Sequence, residues 1–256
     1  MGLVLYAVSL EPDIPEELLL ARLAAEEKER ILRLFSRRIS QRVPAAYLTG
    51  RAWFAGLHFR VDNRVLIPRS PIAELIEAGF QPWLDPDAVA RVLDVGTGSG
   101  CIAIACAIHL PKARVDAVDI STDALEVARL NVKEHGVGDR VQVFASDGLD
   151  AVRGPYDLIV SNPPYVDVHD MDSLPEEFGH EPTVGLAGGE DGLDVVTGLL
   201  EHAGELLNDG GALIVEVGAS RAALSARYPR LPFVWLEFTR GGDDVFLLTA
   251  DDVRRL

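Results

Sequence analysis

Two apolar rhythms run along the chain. From residue 90 onward, short runs of nearly continuous β-branched and aliphatic residues recur: RVLDV (91–95), RVDAVD (114–119), VQVFAS (141–146), YDLIV (156–160) and ALIVEV (212–217). Between them, at 99–109, 122–135, 192–207 and 219–228, apolar residues recur at helical spacing. Strands that are apolar on both faces, separated by helices, predict a parallel sheet covered on both sides. The end of the chain breaks this rhythm. FVWLEF (233–238) and VFLLTA (245–250) flank TRGGDD, and two strands joined through Gly-Gly predict an antiparallel hairpin.

Ahead of residue 90 the pattern is different. Residues 13–42 read as helices, with Asp13 placed as an N-cap before early acids. Ile31, Leu34, Phe35 and Ile39 form an apolar stripe, and Arg30, Arg33, Arg37, Arg38 and Arg42 lie between them. Those arginines are either the wet face of an amphipathic helix or a set able to meet phosphate. Residues 52–67 are rich in aromatic and β-branched residues, with turn signals at Gly56 and Asp62-Asn63; they predict a short hairpin. IPRSPIAELI (67–76) leads into a helix, and QPWLDPD (81–87) is a Pro- and Asp-rich boundary. The organisation expected is a helical region over 1–50, a hairpin and linker over 51–88, and an α/β domain over 89–256.

With 256 residues, 48% of them hydrophobic, the chain can bury one sizeable core with an appendage. No apolar run approaches the roughly 20 residues of a membrane span. Residues 1–10 lack a basic leader and a small-residue cleavage site, so the expectation is a cytoplasmic protein. Cys101 and Cys106 sit five apart on one predicted helix, pointing to different faces. That spacing fits a reducing compartment and no zinc site, and the six histidines show no ligand pattern.

The net charge of -16 is unevenly spread. Residues 1–90 carry 11 Lys+Arg against 12 Asp+Glu, whereas 91–256 carry 13 against 28. From 154 to 220 there are 14 acids and no lysine or arginine. That stretch either solvates the surface or draws in a basic partner.

The first strand of the α/β part ends in Asp94-Val-Gly96-Thr97-Gly98-Ser-Gly100 before a helix. Glycines at a strand-to-helix turn let a ligand approach the backbone closely. The spacing is G-x-G-x-G, not the G-x-G-x-x-G of nicotinamide enzymes, because Cys101 occupies the third place. The second strand ends in Asp119, an acid placed to accept both hydroxyls of a ribose. The third ends in Ser146-Asp147, a second acid able to take the exocyclic amine of adenine. Asp116 and Asp123 read as surface acids. A glycine turn, a ribose acid and an adenine acid on one sheet edge resemble the S-adenosyl-L-methionine site of class I methyltransferases. Such a Rossmann-like fold has a seven-stranded sheet with a C-terminal antiparallel hairpin.

The fourth strand ends in Ser161-Asn162-Pro163-Pro164-Tyr165. Proline has no N–H and fixes φ, so this corner is stiff and presents carbonyl acceptors. The Asn162 side-chain carbonyl and the Pro163 backbone carbonyl can accept both hydrogens of a planar –NH2 group. The flat ring of Tyr165 can stack on it. The alternative is an ordinary rigid loop. A planar amine occurs both in adenine and in the glutamine side chain, and the motif does not choose. A protein gripping nucleic acid neutralises phosphates with Lys and Arg, and 67 residues around the corner supply none. The surface suits a basic polypeptide.

The stretches VPAAYLTGRAWFAGLHFRVDNRVLIPRS, VLDVGTGSGCIAIA, DAVDIS, DLIVSNPPYV, EPTVGLAGGEDGL and LIVEVG together resemble the protein glutamine methyltransferases. That family modifies release factors and a ribosomal protein. IPRSPIAEL replaces the acid-Thr-Glu that usually follows IPR in the release-factor enzymes. This chain is more similar to the branch acting on protein three of the large ribosomal subunit. The resemblance implies methylation of a glutamine side-chain nitrogen, with Asn162, Pro163 and Tyr165 at the acceptor. It places Asp94, Gly96, Thr97, Gly98, Gly100, Asp119, Ile120, Asp147, Asn162 and Arg69 at the cofactor. It also implies an N-terminal helical domain that binds the protein substrate, a domain usually longer than residues 1–50 here. Release-factor methylation, adenine methylation on nucleic acid and a non-catalytic cofactor-binding module are the rival readings.

Overall fold

The computed structural model describes residues 2–10 and 15–256; the N-cap expected at Asp13 lies outside them. The N-terminal part holds α1 (Gly2–Ala7), α2 (Glu16–Leu19), α3 (Ala25–Ser40) and α4 (Ala45–Thr49). The hairpin β1 (Arg51–Phe54) and β2 (Leu57–Arg60) and then α5 (Ile72–Glu77) follow. The alternating part runs β3 (Arg91–Val95), α6 (Cys101–His109), β4 (Arg114–Asp119), α7 (Thr122–Glu134), β5 (Val141–Ala145) and β6 (Tyr156–Ser161). After β6 come α8 (Val168–Met171), two 3-10 turns at Glu176–His180 and Thr183–Gly185, α9 (Asp194–Leu206) and β7 (Leu207–Glu216). The chain ends with α10 (Arg221–Arg227), β8 (Val234–Leu236), β9 (Val245–Thr249) and α11 (Ala250–Val253).

Seven strands form one sheet in the order β5-β4-β3-β6-β7-β9-β8. The first five are parallel, whereas β9 runs antiparallel to β7 and to β8. The order reverses between β3 and β6, and ligands bind at the carboxyl end of such a switch point. Alternation along each strand feeds two cores. Val92, Leu158 and Val160 pack with Ile72, Ile76 and Ile104 on one face. Leu93, Ile159 and Leu213 pack with Leu199, Leu200 and Phe246 on the other.

The β1–β2 hairpin is fastened to this sheet. Ala52, Val61 and Val65 pack on Ala124 and Val127 of α7. Asn131 of α7 is buried, accepting from Arg60 N at 2.8 Å and donating to Arg60 O at 3.0 Å and Ser99 O at 2.8 Å. One amide thus ties the hairpin to the glycine turn after β3.

The helices expected over 13–42 are α2 and α3, and α3 starts where Glu27 reaches back to the Ala24 N–H at 2.7 Å. No residue of α3 is buried. Of its arginine set, Arg38 meets Glu177 at 3.0 Å, and Arg42 beyond the helix lies 3.6 Å from Glu176. The hairpin predicted over 52–67 is shorter. Ala55 and Gly56 close it with φ of 47° and 72°, and Asp62 then turns the chain by accepting from Arg64 N at 3.1 Å. β7 begins earlier than residue 212, because a bulge opposite Tyr156 and Leu158 accommodates the extra residues. Asp116 is not a surface acid: it accepts from Tyr156 Oη at 2.6 Å and Arg91 Nη2 at 2.8 Å.

Candidate active site

A cavity of about 320 Å³ opens at the carboxyl edge of the sheet, over the switch point. That size is ordinary for a small-molecule site, about 300–1,000 Å³. Its floor comes from the ends of β3, β4, β5 and β6, and residues 64–70 and 182–187 wall it. Gly96, Thr97, Gly98, Asp119, Ile120, Asp147, Asn162, Pro163 and Arg69 all line it.

At the turn after β3, Gly96 and Gly98 have φ of 71° and 55°, which side-chain-bearing residues rarely adopt. A Cβ on either would enter open space, so a ligand can lie against the backbone there. Gly100 differs. It has φ of 80°, and a Cβ would press on Ala128 and Ile104 at 3.3 Å. Its role is close approach of α6 to α7, and it does not reach the cavity.

Asp94 also lies beneath the cavity and not in its lining. Its Oδ2 accepts from Thr97 Oγ1 at 2.6 Å and Ala103 N at 3.1 Å, while Oδ1 is buried without a partner. Burial, and then the neighbouring Asp119 charge, push its carboxyl up to about 7. Asp119 accepts from Gly98 N at 2.8 Å and Ser121 N at 2.9 Å. Both of its oxygens therefore organise the glycine turn while the group faces the cavity, and burial raises its pKa. Ile120 beside it is 56% exposed, an apolar surface open to a flat ligand.

The corner after β6 is braced from below and behind. Ser161 Oγ donates to Val95 O at 2.7 Å. Asn162 Oδ1 is buried with no hydrogen-bond partner, and no donor among the described residues reaches the Pro163 carbonyl. Tyr165 does not join them in the lining. Its hydroxyl donates to Glu216 Oε1 at 3.0 Å, so the ring lies toward the end of β7.

The loop AGGEDG (187–192) lies directly against the corner's backbone. A Cβ at Gly188 would come within 2.7 Å of Pro164 O and 2.8 Å of Tyr165 Cα. Only glycine permits that contact, and Gly188 N donates to Val166 O at 2.9 Å.

Two functional residues escape sequence reasoning. Glu181, 7% exposed, accepts from Arg69 Nη1 at 2.7 Å and Ile67 N at 3.0 Å, joining the two walls of the cavity. Arg69 also lies 4.7 Å over the Phe178 ring. Glu216 ends the apolar strand β7 at 4% exposure, and its Oε2 has no partner. Burial pushes its carboxyl up to about 7. Its only signal in the sequence was an acid within LIVEV, where a buried charge is rare.

The sheet order with its inserted antiparallel β9, the glycine turn and the strand-end acids define a class I, Rossmann-like methyltransferase. Residues 80–180 match the methyltransferase small domain family. The fold is similar to that of the hMettl16 catalytic domain solved with the MAT2A 3'UTR hairpin 6, with a TM-score of 0.59 over 95% of this chain and 90% of that one at 18% identity. A methyltransferase from Pyrococcus furiosus is similar at a TM-score of 0.54 and 19% identity, over 87% of this chain and 98% of that one. The ribosomal protein uL3 glutamine methyltransferase of Neisseria gonorrhoeae (strain ATCC 700825 / FA 1090) is 47% identical over 252 residues, 98% of this chain and 84% of that protein. Its namesake in Neisseria meningitidis serogroup A is 47% identical over 98% of this chain and 83% of its own length. The chain belongs to the family of ribosomal protein uL3 glutamine methyltransferases. Among its described residues, no helix is long and apolar enough to cross a membrane.

Proposed function

We propose that this chain transfers a methyl group from S-adenosyl-L-methionine to the side-chain amide nitrogen of a glutamine in ribosomal protein uL3, in the cytoplasm. The observation that carries this reading is the buried, unpartnered Asn162 Oδ1 beside the unengaged Pro163 carbonyl. An acceptor left unpaired inside a protein is destabilising unless a ligand supplies the donor. Two adjacent acceptors fit the two hydrogens of one –NH2 group.

The cavity fits the cofactor. Gly96 and Gly98 leave space where side chains would stand, Asp119 and Asp147 face the cavity as acceptors for ribose hydroxyls and an adenine amine, and Ile120 offers an apolar surface. Arg69 forms part of the wall, held there by Glu181. When bound, S-adenosyl-L-methionine supplies an electrophilic methyl on a positively charged sulfur.

Asn162 and Pro163 do the rest by orientation. An amide nitrogen is a poor nucleophile because its lone pair is delocalised into the carbonyl. Holding both hydrogens fixes the nitrogen and turns the lone pair out of conjugation, so that attack is in line. Positive charge then grows on nitrogen, and both hydrogen bonds strengthen in the transition state more than in the ground state. The methylated nitrogen is acidic enough to lose its proton to water, so no dedicated base is required.

The uL3 substrate is favoured over a release factor by the names of the relatives at 47% identity. A basic protein is favoured over nucleic acid by the charge around the corner. Of the arginine set, Arg38 and Arg42 are engaged by Glu177 and Glu176, and 154–220 adds no lysine or arginine.

The test is methyl-label transfer to purified uL3, a release factor and duplex DNA in parallel, with the modified residue located by mass spectrometry. Label on a uL3 glutamine is expected. Label on DNA would overturn the reading. Asn162→Ala should still bind cofactor but lose roughly 100–1,000-fold in turnover, the scale for removing one preorganised polar contact to developing charge; unchanged turnover would remove Asn162 from this role.

A further inference from the structure

Tyr165 follows the paired prolines, yet Glu216 and Gly218, which its side chain meets, do not line the cavity. Its hydroxyl donates to Glu216 Oε1 at 3.0 Å. Its ring passes so close to Gly218 that a Cβ there would collide with Cε2 and Cδ2. Glu216 ends β7, the strand beside β6, and Ser161 and Val215 are partners in the register. The carboxylate therefore sits one strand over from Asn162. Ser70, Arg69 and Asp244 also face this carboxyl. It is buried, Oε2 lacks a partner, and the end of an apolar strand is a costly position for an acid.

The other side of Tyr165 is also secured. Ser220 Oγ donates to Tyr165 O at 3.2 Å, and Val166 N donates to Leu186 O at 2.9 Å. The chain beyond Pro164 is thus held at the main chain by Ser220 and the glycine loop, and at the side chain by Glu216. The acceptors of Asn162 and Pro163 stay free.

We propose that Glu216 is a positioning residue: by holding the Tyr165 hydroxyl it makes that side chain a strut that fixes the direction of the Pro163 carbonyl and the Asn162 amide. The proposal rests on the amide-methylation reading above and refines it. Tyr165 acts through its hydroxyl and not as a stacking face for substrate. The two roles separate cleanly, because phenylalanine keeps the stacking face and loses the hydroxyl.

The experiment is steady-state kinetics of Tyr165→Phe, Glu216→Ala and Glu216→Gln on uL3, with cofactor affinity measured calorimetrically. Tyr165→Phe and Glu216→Ala should lower kcat by roughly 10–100-fold, the scale of a small misplacement of reacting groups, with both KM values little changed. Glu216→Gln keeps a carbonyl acceptor for the hydroxyl and should restore most of the kcat lost in Glu216→Ala. The double variant Tyr165→Phe/Glu216→Ala should be no worse than the worse single. Full kcat in Tyr165→Phe would overturn the strut, as would a Glu216→Gln enzyme as slow as Tyr165→Phe. If Glu216→Ala fails to fold, the other two variants still decide. Wild-type protein that labels no glutamine would instead overturn the amide reading itself.

Discussion

Gly192→Ala tests whether the glycine loop truly bears on the corner. Gly192 has φ of 76°, and a Cβ there would overlap Ser220 Oγ and Tyr165 O. Two costs add. A side chain in the left-handed region costs roughly 1–2 kcal/mol, and forcing a methyl into a filled site costs about 1–3 kcal/mol. Gly210 provides the control. Its φ is 77°, but nothing lies within 4 Å of the Cβ position, so Gly210→Ala should lose only the backbone term of roughly 1–2 kcal/mol. Urea unfolding of both variants at one pH gives the overlap cost as their difference, expected at about 1–3 kcal/mol. The partner that must yield is Tyr165 O, which Ser220 already holds. Gly192→Ala should therefore also slow methyl transfer, whereas Gly210→Ala should not. Equal stability losses and equal turnover in the two variants would refute the contact argument.

Asp119→Ala should weaken the cofactor by about 1.5–3 kcal/mol, the worth of hydrogen bonds to a charged group, and should loosen the turn at Gly98 N that Asp119 holds; calorimetry at fixed pH checks this, and wild-type affinity would remove it from the site. Glu181→Ala leaves the Ile67 N–H and Arg69 without their partner and should raise the cofactor off-rate, read by stopped-flow. Stability without cofactor should fall as pH rises through 7. Asp94 and Glu216 are both pushed up to about 7 by burial, so each binds a proton in the folded state that the unfolded state has released. Their contribution is complete below the ordinary carboxylate range and is lost on passing pH 7. At 1.36 kcal/mol per unit these amount to about 4 kcal/mol for Asp94 and about 3 kcal/mol for Glu216. Glu216→Gln should flatten part of this slope in urea titrations from pH 5 to 8.5, and an unchanged slope would show that Glu216 does not titrate there.

What could be read in the chain before its structure, and what could not, divides by how far apart the partners lie. The strands from 91 to 160 are nearly continuous apolar runs, so their pairing in parallel followed from local pattern. Ligand residues sit just beyond strand ends, which put Gly96, Gly98, Asp119, Asp147 and Asn162 on one edge without any long-range knowledge. Gly100 shares the same motif but packs on Ala128, because spacing cannot say which side of a turn a glycine relieves. The partner of Tyr165 was hidden for a related reason: its neighbours in sequence suggested a stacking face and said nothing of Glu216, 51 residues later, which accepts from its hydroxyl. Glu181 and Arg69 are 112 residues apart, and Asn131 meets Arg60 across 71. Such pairs carry no local pattern, and they are the ones that join the cavity walls and fasten the hairpin to the glycine turn. The motif residues at the cavity are therefore legible from local pattern, whereas the contacts that fix their surroundings are distributed over residues that only folding brings together.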